Sequence, residues 1–181
     1  MHYLNSEQEE ADTKILLHAV DSTTSGATCI HIHSLDTDVL VLALRRYPNL
    51  CKDTSFVTGT GKKHRVIPLL PIVEALGPCK LAALPAFHAL SGADNTGSFA
   101  GKGKVTYWRV FQEASEEVYE TMANLGTNMT PSEVTFSEVE KFVCQLYLPS
   151  KKVSKLCDLR WFLFKQKKAQ SEKLPPTGGE L

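Results

Sequence analysis

The sequence predicts an α/β fold, a small sheet with helices packed around it that continues into a helical C-terminal half. Two observations predict the sheet: a β-branched segment, "ATCIHIHS", runs into the apolar "TDVLVLALRR", and "TSFVTGTGKKHRVIPL" runs into "PIVEALG". A third predicts the helical half, because apolar residues recur at helical spacing through most of the chain after residue 104. Strand-to-helix units of this kind build layered α/β architectures.

In order, "SEQEEADTKILLHAV" reads as a helix start. Ser6 can cap it, acidic residues fill the first turn, and Ile15, Leu16 and Ala19 follow at helical spacing. "DSTTSG" is a loop, and the strand after it ends near Ser34. The run beginning at Thr37 is too long and too uniformly apolar for an exposed strand, so it suits a buried helix that stops before Pro48. Residues 54–69 read as two short strands around a Gly-rich turn. A helical region follows, "PIVEALG" and then "CKLAALPAFHALSGAD", in which Leu81, Leu84, His88 and Ala89 mark one face. "GADNTGSFAGKGK" is a loop of glycines and small polar residues. It enters an amphipathic helix carrying Tyr107, Val110 and Phe111, and two further helices are expected at 132–147 and 153–168. Trp108 and Trp161 fall among apolar residues and read as core anchors. The tail from 171 to 181 reads as irregular. No internal repeat is present.

With 181 residues and 43% hydrophobic content, the chain can fill the core of one ordinary domain, or of a domain plus an appendage. Lys, Arg, Asp or Pro interrupts each apolar run before it reaches membrane-spanning length, and the polar, acidic start is unlike a signal peptide, so the expected setting is intracellular with no membrane partner. Five scattered cysteines without a C-x-x-C suggest reduced thiols, neither a disulfide framework nor a zinc ribbon. Net charge is zero, yet eight Lys or Arg stand between 151 and 173 against Asp158 and Glu172. A run like that reads first as a solvated face.

Three acidic places stand at the edges of regular elements: Glu10 and Asp12 in "EEAD", Asp36 and Asp38 in "LDTD", and Asp94 in "SGAD". Each has a local explanation. Acids favour a helix N-terminus, Asp36 suits an N-cap, and Asp94 suits an Asx turn before a Gly-rich loop. Asp36 and Asp38 also stand where α/β sheets gather ligands, beyond the carboxyl end of a strand. Spacing alone leaves both readings open. A zinc site from Cys29, His31 and His33 lacks a second ligand pair at usable spacing. "TGTGKKH" lacks the phosphate-loop spacing and is better explained as a hairpin turn.

"EEAD" opening a helix, a strand running into "LDTDVLVL", and "FHALSGADNTGSFAGKGK" together resemble the metal-site order of the flap endonuclease family of PIN-like nucleases. That family has an E-A-E or E-A-D helix start, a D-x-D strand end, a G-x-D helix end, and seven residues later a G-x-G followed by lysine. The resemblance covers about residues 7–115. It implies a PIN-like sheet with flanking helices, and a helix-two-turn-helix-like element at about 92–123. Residues 1–125 would form the nuclease domain, 126–170 a helical extension and 171–181 a tail. It further implies that Glu10, Asp12, Asp36, Asp38 and Asp94 are catalytic and hold two Mg²⁺ or Mn²⁺ ions. Such a pair, about 3.5–4 Å apart, activates water and stabilises both oxygens of a phosphodiester displacement. Gly101, Lys102, Gly103 and Lys104 would hold nucleic-acid backbone, with K⁺ as a further ion. The implied partner is branched or flapped DNA, RNA being left open, and the implied setting is the nucleus. DNA against RNA, endonuclease against exonuclease, and oligomeric state stay open.

The sequence departs from the family in two respects. Only nine residues precede Glu10, so the family's first strand, its upstream acids and the basic residues that clamp and gate a flap have no counterpart. Asn95 and Thr96 replace residues that are more often aromatic or cysteine. The alternative expectation is therefore a catalytically inactive, nuclease-derived module that binds nucleic acid or a protein.

Overall fold

The computed structural model describes residues 11–93, 96–99, 101–127, 132–149, 153–166, 174–179 and 181. The chain divides into two compact units, Met1–Leu81 and Ala82–Leu181.

The first unit is mixed α/β. Helix α1 (Ala11–Thr24) buries Leu16 and Ala19 and packs on β1 (Cys29–His33) and on α2 (Thr37–Arg46). At its end the Thr23 hydroxyl donates to the Ala19 carbonyl and accepts the Cys51 N–H at 3.2 Å, tying α1 to the approach to β2 (Asp53–Thr58). β1 and β2 are parallel, with Ile32 opposite Phe56, and α2 is the crossover between them. α2 buries Val39, Val41, Ala43 and Leu44 and packs on α1, and Arg45 and Arg46 complement its C-terminal dipole. Pro48, in a 3-10 turn at Tyr47–Asn49, cannot continue the helix. β3 (Arg65–Pro68) pairs antiparallel with β2, completing a three-stranded sheet in the order β1-β2-β3. The expected pair of strands around a Gly-rich turn is thus a β2–β3 hairpin. Its buried Thr54 donates to the Cys51 carbonyl at 2.6 Å, which meets the hydrogen-bonding need of a hydroxyl in the core.

Helix α3 (Leu70–Leu90) is interrupted by Gly77 at φ 73°, ψ 168°, which accounts for the two helical segments read from the sequence. By length and composition it is the one helix among the described residues that could cross a membrane, although no single apolar run stood out as that long. Its inward face is Leu81, Leu84 and Phe87, with Ala83. His88 and Ala89, expected on that face, are only half-buried, because the buried arc runs through Ala83, Leu84 and Phe87 and is centred to one side of them.

The second unit is helical. α4 (Lys104–Gln112) buries Tyr107, Val110 and Phe111, and α5 (Glu116–Ala123) buries Val118, Tyr119 and Met122. α6 (Glu133–Tyr147) and α7 (Leu156–Lys165) bury Phe142, Val143, Leu146, Leu156 and Leu159. Each such aliphatic or aromatic side chain stabilises by about 1.5–3 kcal/mol on leaving water. Phe111 lies 4.6 Å from Phe87 and 5.2 Å from Tyr119, whose hydroxyl donates to the Phe111 carbonyl. α5 was not expected from the sequence. α7 ends at Lys165, inside the expected 153–168. Trp108 stacks on Phe111 as an anchor should, but Trp161 is turned out to solvent, because α7 buries Leu156 and Leu159 on its opposite side.

Candidate functional site

Ser34, Leu35, Asp36, Thr37 and Asp38 connect β1 to α2. The Ser34 N–H still donates to the Val57 carbonyl, so the strand's ladder runs to two residues before Asp36, and the Ser34 hydroxyl accepts the Asp36 N–H at 3.0 Å. Asp36 has extended dihedrals, φ −86° and ψ 131°, and its Oδ1 accepts the Asp38 N–H at 2.8 Å. It is the N-cap of α2, as its local reading proposed. The cap occupies one lone pair of a carboxylate that has about four, so capping and cation binding are compatible at Asp36. Asp38 stands in the first turn of α2, where the helix dipole favours its charge.

Asp12 reaches the same end of the sheet by topology. A short turn joins α1 to β1, so α1 runs back along the strand, as does the crossover α2. The two helices thus run in the same direction and line one cleft with Leu16 and Val20 of α1 and Leu42 and Arg46 of α2. One turn earlier on each helix stand Asp12 and Asp38. Glu10 and Asp94 lie outside the described residues.

Hard carboxylate oxygens are the right donors for Mg²⁺ or Mn²⁺. Among the described residues, however, no three His, Cys, Asp or Glu side chains gather closely enough to hold a metal ion, so Asp12, Asp36 and Asp38 do not close a centre by themselves. Cys29, His31 and His33 alternate along the exposed face of β1, with the Cys29 Sγ 3.8 Å from the His31 Nε2. A hydrogen bond to the Asp53 carboxylate raises the Cys29 thiol pKa, as do slight desolvation and the nearby Asp53 charge.

The Gly-rich loop belongs to the second unit. α3 ends through Gly92 at φ 96°, and the Thr96 hydroxyl accepts the Ala93 N–H and donates to the Ala89 carbonyl at 2.6 Å. Thr96 therefore closes the end of a helix through its short hydroxyl side chain; Asn95 lies outside the described residues. Gly101 is in the left-handed region at φ 72°, and Gly103 is the N-cap of α4 without any side-chain cap. A helix that opens on glycine presents bare amides suited to an anion. Lys104 is exposed there. Lys102 is not turned towards that opening: its Nζ sits 4.3 Å above the Tyr147 ring, and burial lowers its pKa.

Two features escaped the sequence reading. Glu140 is buried and its Oε1 accepts the Leu156 N–H at 2.7 Å, capping α7 from another helix. The exposed ring pair Trp161 and Phe164 was also missed, although the inward spacing of Leu156, Leu159 and Leu163 was a signal for it. Comparison with known proteins finds no matching family, no matching curated protein and no matching solved structure.

Proposed function

We propose that this chain is the PIN-like part of a structure-specific nuclease that hydrolyses nucleic-acid phosphodiesters with divalent metal, acting on branched or flapped DNA in the nucleus. The observation that carries the reading is the acidic end of the first unit. Asp36 and Asp38 come two and four residues after the last ladder bond of a parallel strand, and Asp12 stands in the first turn of the helix that runs back along it. Ligands collect at that end of α/β sheets.

In this reading Asp12, Asp36 and Asp38 are the described residues that would hold the cations, and bound divalent ions would supply an activated water and stabilisation of the leaving oxygen. Asp36 has a positioning task as well, since its bond to the Asp38 N–H fixes the first turn from which Asp38 projects. The bare amides at Gly103 and the charge of Lys104 receive a backbone phosphate. Lys102, stacked on Tyr147, stiffens the loop.

The test is cleavage of labelled flap, fork and linear DNA with Mg²⁺ or Mn²⁺, by this chain and by Asp38→Asn. The expected outcome is metal-dependent cutting that Asp38→Asn lowers at least about a hundredfold, with thermal stability reduced by no more than the roughly 1 kcal/mol that a first-turn acid contributes. Cutting that survives Asp38→Asn at full rate overturns the site assignment.

A second reading rests on the bare amides at Gly103 and the exposed Lys104, which need no metal to meet an anion. It makes the chain a nuclease-derived binding module. That version binds DNA with a steep salt dependence and cuts nothing under either metal.

A further inference from the structure

The outward face of α7 is the largest exposed aromatic surface among the described residues. The helix is already anchored without it, since Leu156 and Leu159 are fully buried and Leu163 packs on the same cluster. Trp161 and Phe164, one turn apart, are 65% and 63% exposed. Their rings lie 25° from parallel with centroids 6.4 Å apart, so both present faces in nearly the same orientation. They form one wall of an open groove of about 450 Å³, whose other lining residues include Leu174 and Gly178. The Arg160 guanidinium donates to the Pro175 carbonyl and so holds residues 174–179 as the facing wall.

Charge identifies the occupant. Between 153 and 166 the cations are Lys155, Arg160 and Lys165, opposed by Asp158 alone, and the sequence from 151 to 173 holds eight basic residues in a chain of zero net charge. An apolar peptide has no use for that excess. A polyanion whose bases have flat aromatic faces uses both parts, with phosphates against the cations and bases on the rings.

We infer that the Trp161–Phe164 face is a stacking platform for unpaired nucleic-acid strand. The inference deepens the nuclease reading and rests on it, naming the part of a branched substrate that the second unit holds. Stacking is tolerant of sequence, so the class recognised is the single strand as such. A duplex keeps its base faces covered and gains only the charge contribution.

The experiment uses the full chain in EDTA, which separates binding from cleavage, with a labelled oligothymidylate and a duplex of equal length as probes. Trp108 and Trp161 are the two tryptophans, and Trp108 packs among rings while Trp161 faces solvent. Single strand should quench tryptophan fluorescence, and Trp161→Ala should abolish that quenching. Trp161→Ala and Phe164→Ala should each weaken binding about tenfold by anisotropy, with unchanged far-ultraviolet circular dichroism, since neither ring supports the core. Normal affinity in both variants overturns the platform, as does equal affinity for the duplex. Binding of these rings to phosphatidylcholine vesicles in preference to the oligonucleotide overturns it too. Cleavage in Mg²⁺ is scored separately. Binding that depends on the rings without any cleavage removes the nuclease reading alone, and cleavage with ring variants that bind normally removes the platform alone.

Discussion

At φ 78°, Gly59 leaves β2 in the left-handed region, and a Cβ placed there would lie 2.1 Å from the Lys63 carbonyl oxygen. Both the dihedral and the clash with rigid backbone act against any side chain. Gly59→Ala is expected to cost about 1–3 kcal/mol, read as a lower midpoint in urea, with the loss centred on the hairpin. A midpoint within experimental error of wild type would show that the turn relaxes. Gly61, two residues on, also has positive φ but open space around its Cα, so Gly61→Ala is the milder control. Residue identities of this kind were only partly legible in the sequence. Asp36 as an N-cap was, because Asp before an apolar run is a local signal. The preference for Phe87 over His88 on the inner face of α3 was not, because apolar residues occur nearly all round this helix and leave the centre of its buried arc undefined by spacing.

Helices α6 and α7 meet through one carboxylate. The buried Glu140 accepts the first N–H of α7, so one side chain supplies both a hydrogen bond and a negative charge at a helix N-terminus. Glu140→Ala leaves that amide without its partner and is expected to cost about 1–3 kcal/mol in chemical denaturation. Glu140→Gln keeps an acceptor oxygen and should lose clearly less; equal losses would mean that charge, not the bond, is what α7 needs. "SEVEKF" reads like a solvated helix face, and only the tertiary position of Leu156 makes Glu140 structural. The strands and most helices were legible because their apolar periods are long enough to choose between elements. α5 was not: it has eight residues, and Val118, Tyr119 and Met122 make too short a pattern to separate from α4 before it. Of the candidate site, the place of Asp36 and Asp38 between β1 and α2 was legible, whereas the stacking of Lys102 on Tyr147 depends on a contact 45 positions away along the chain.

For the whole molecule, the second unit carries a built-in sensitivity to alkali. Burial and the neighbouring Glu140 charge push the Cys144 thiol from its ordinary 9.0 up to about 12. Burial, which leaves the Tyr147 hydroxyl without a hydrogen-bond partner, pushes that group from 10.0 to about 12. Both groups hold their protons in the folded chain and release them earlier in the unfolded one. Their contribution is therefore fully present below about pH 9 and is lost as pH rises towards 12. Thermal midpoints should fall over that window, and Cys144→Ala should flatten the fall; an unchanged slope would remove Cys144 from the account. At neutral pH a different weakness governs. β1 has a ladder partner on one side among the described residues. Since Ser34 donates to Val57, the alternate residues Cys29, His31 and His33 turn their peptide groups away from β2. Such a row is a template on which another molecule can add a strand, and a five-residue length with polar imidazoles is the protection this chain has. Self-association in concentrated solution would accordingly begin at a strand edge while the cores of both units are still intact.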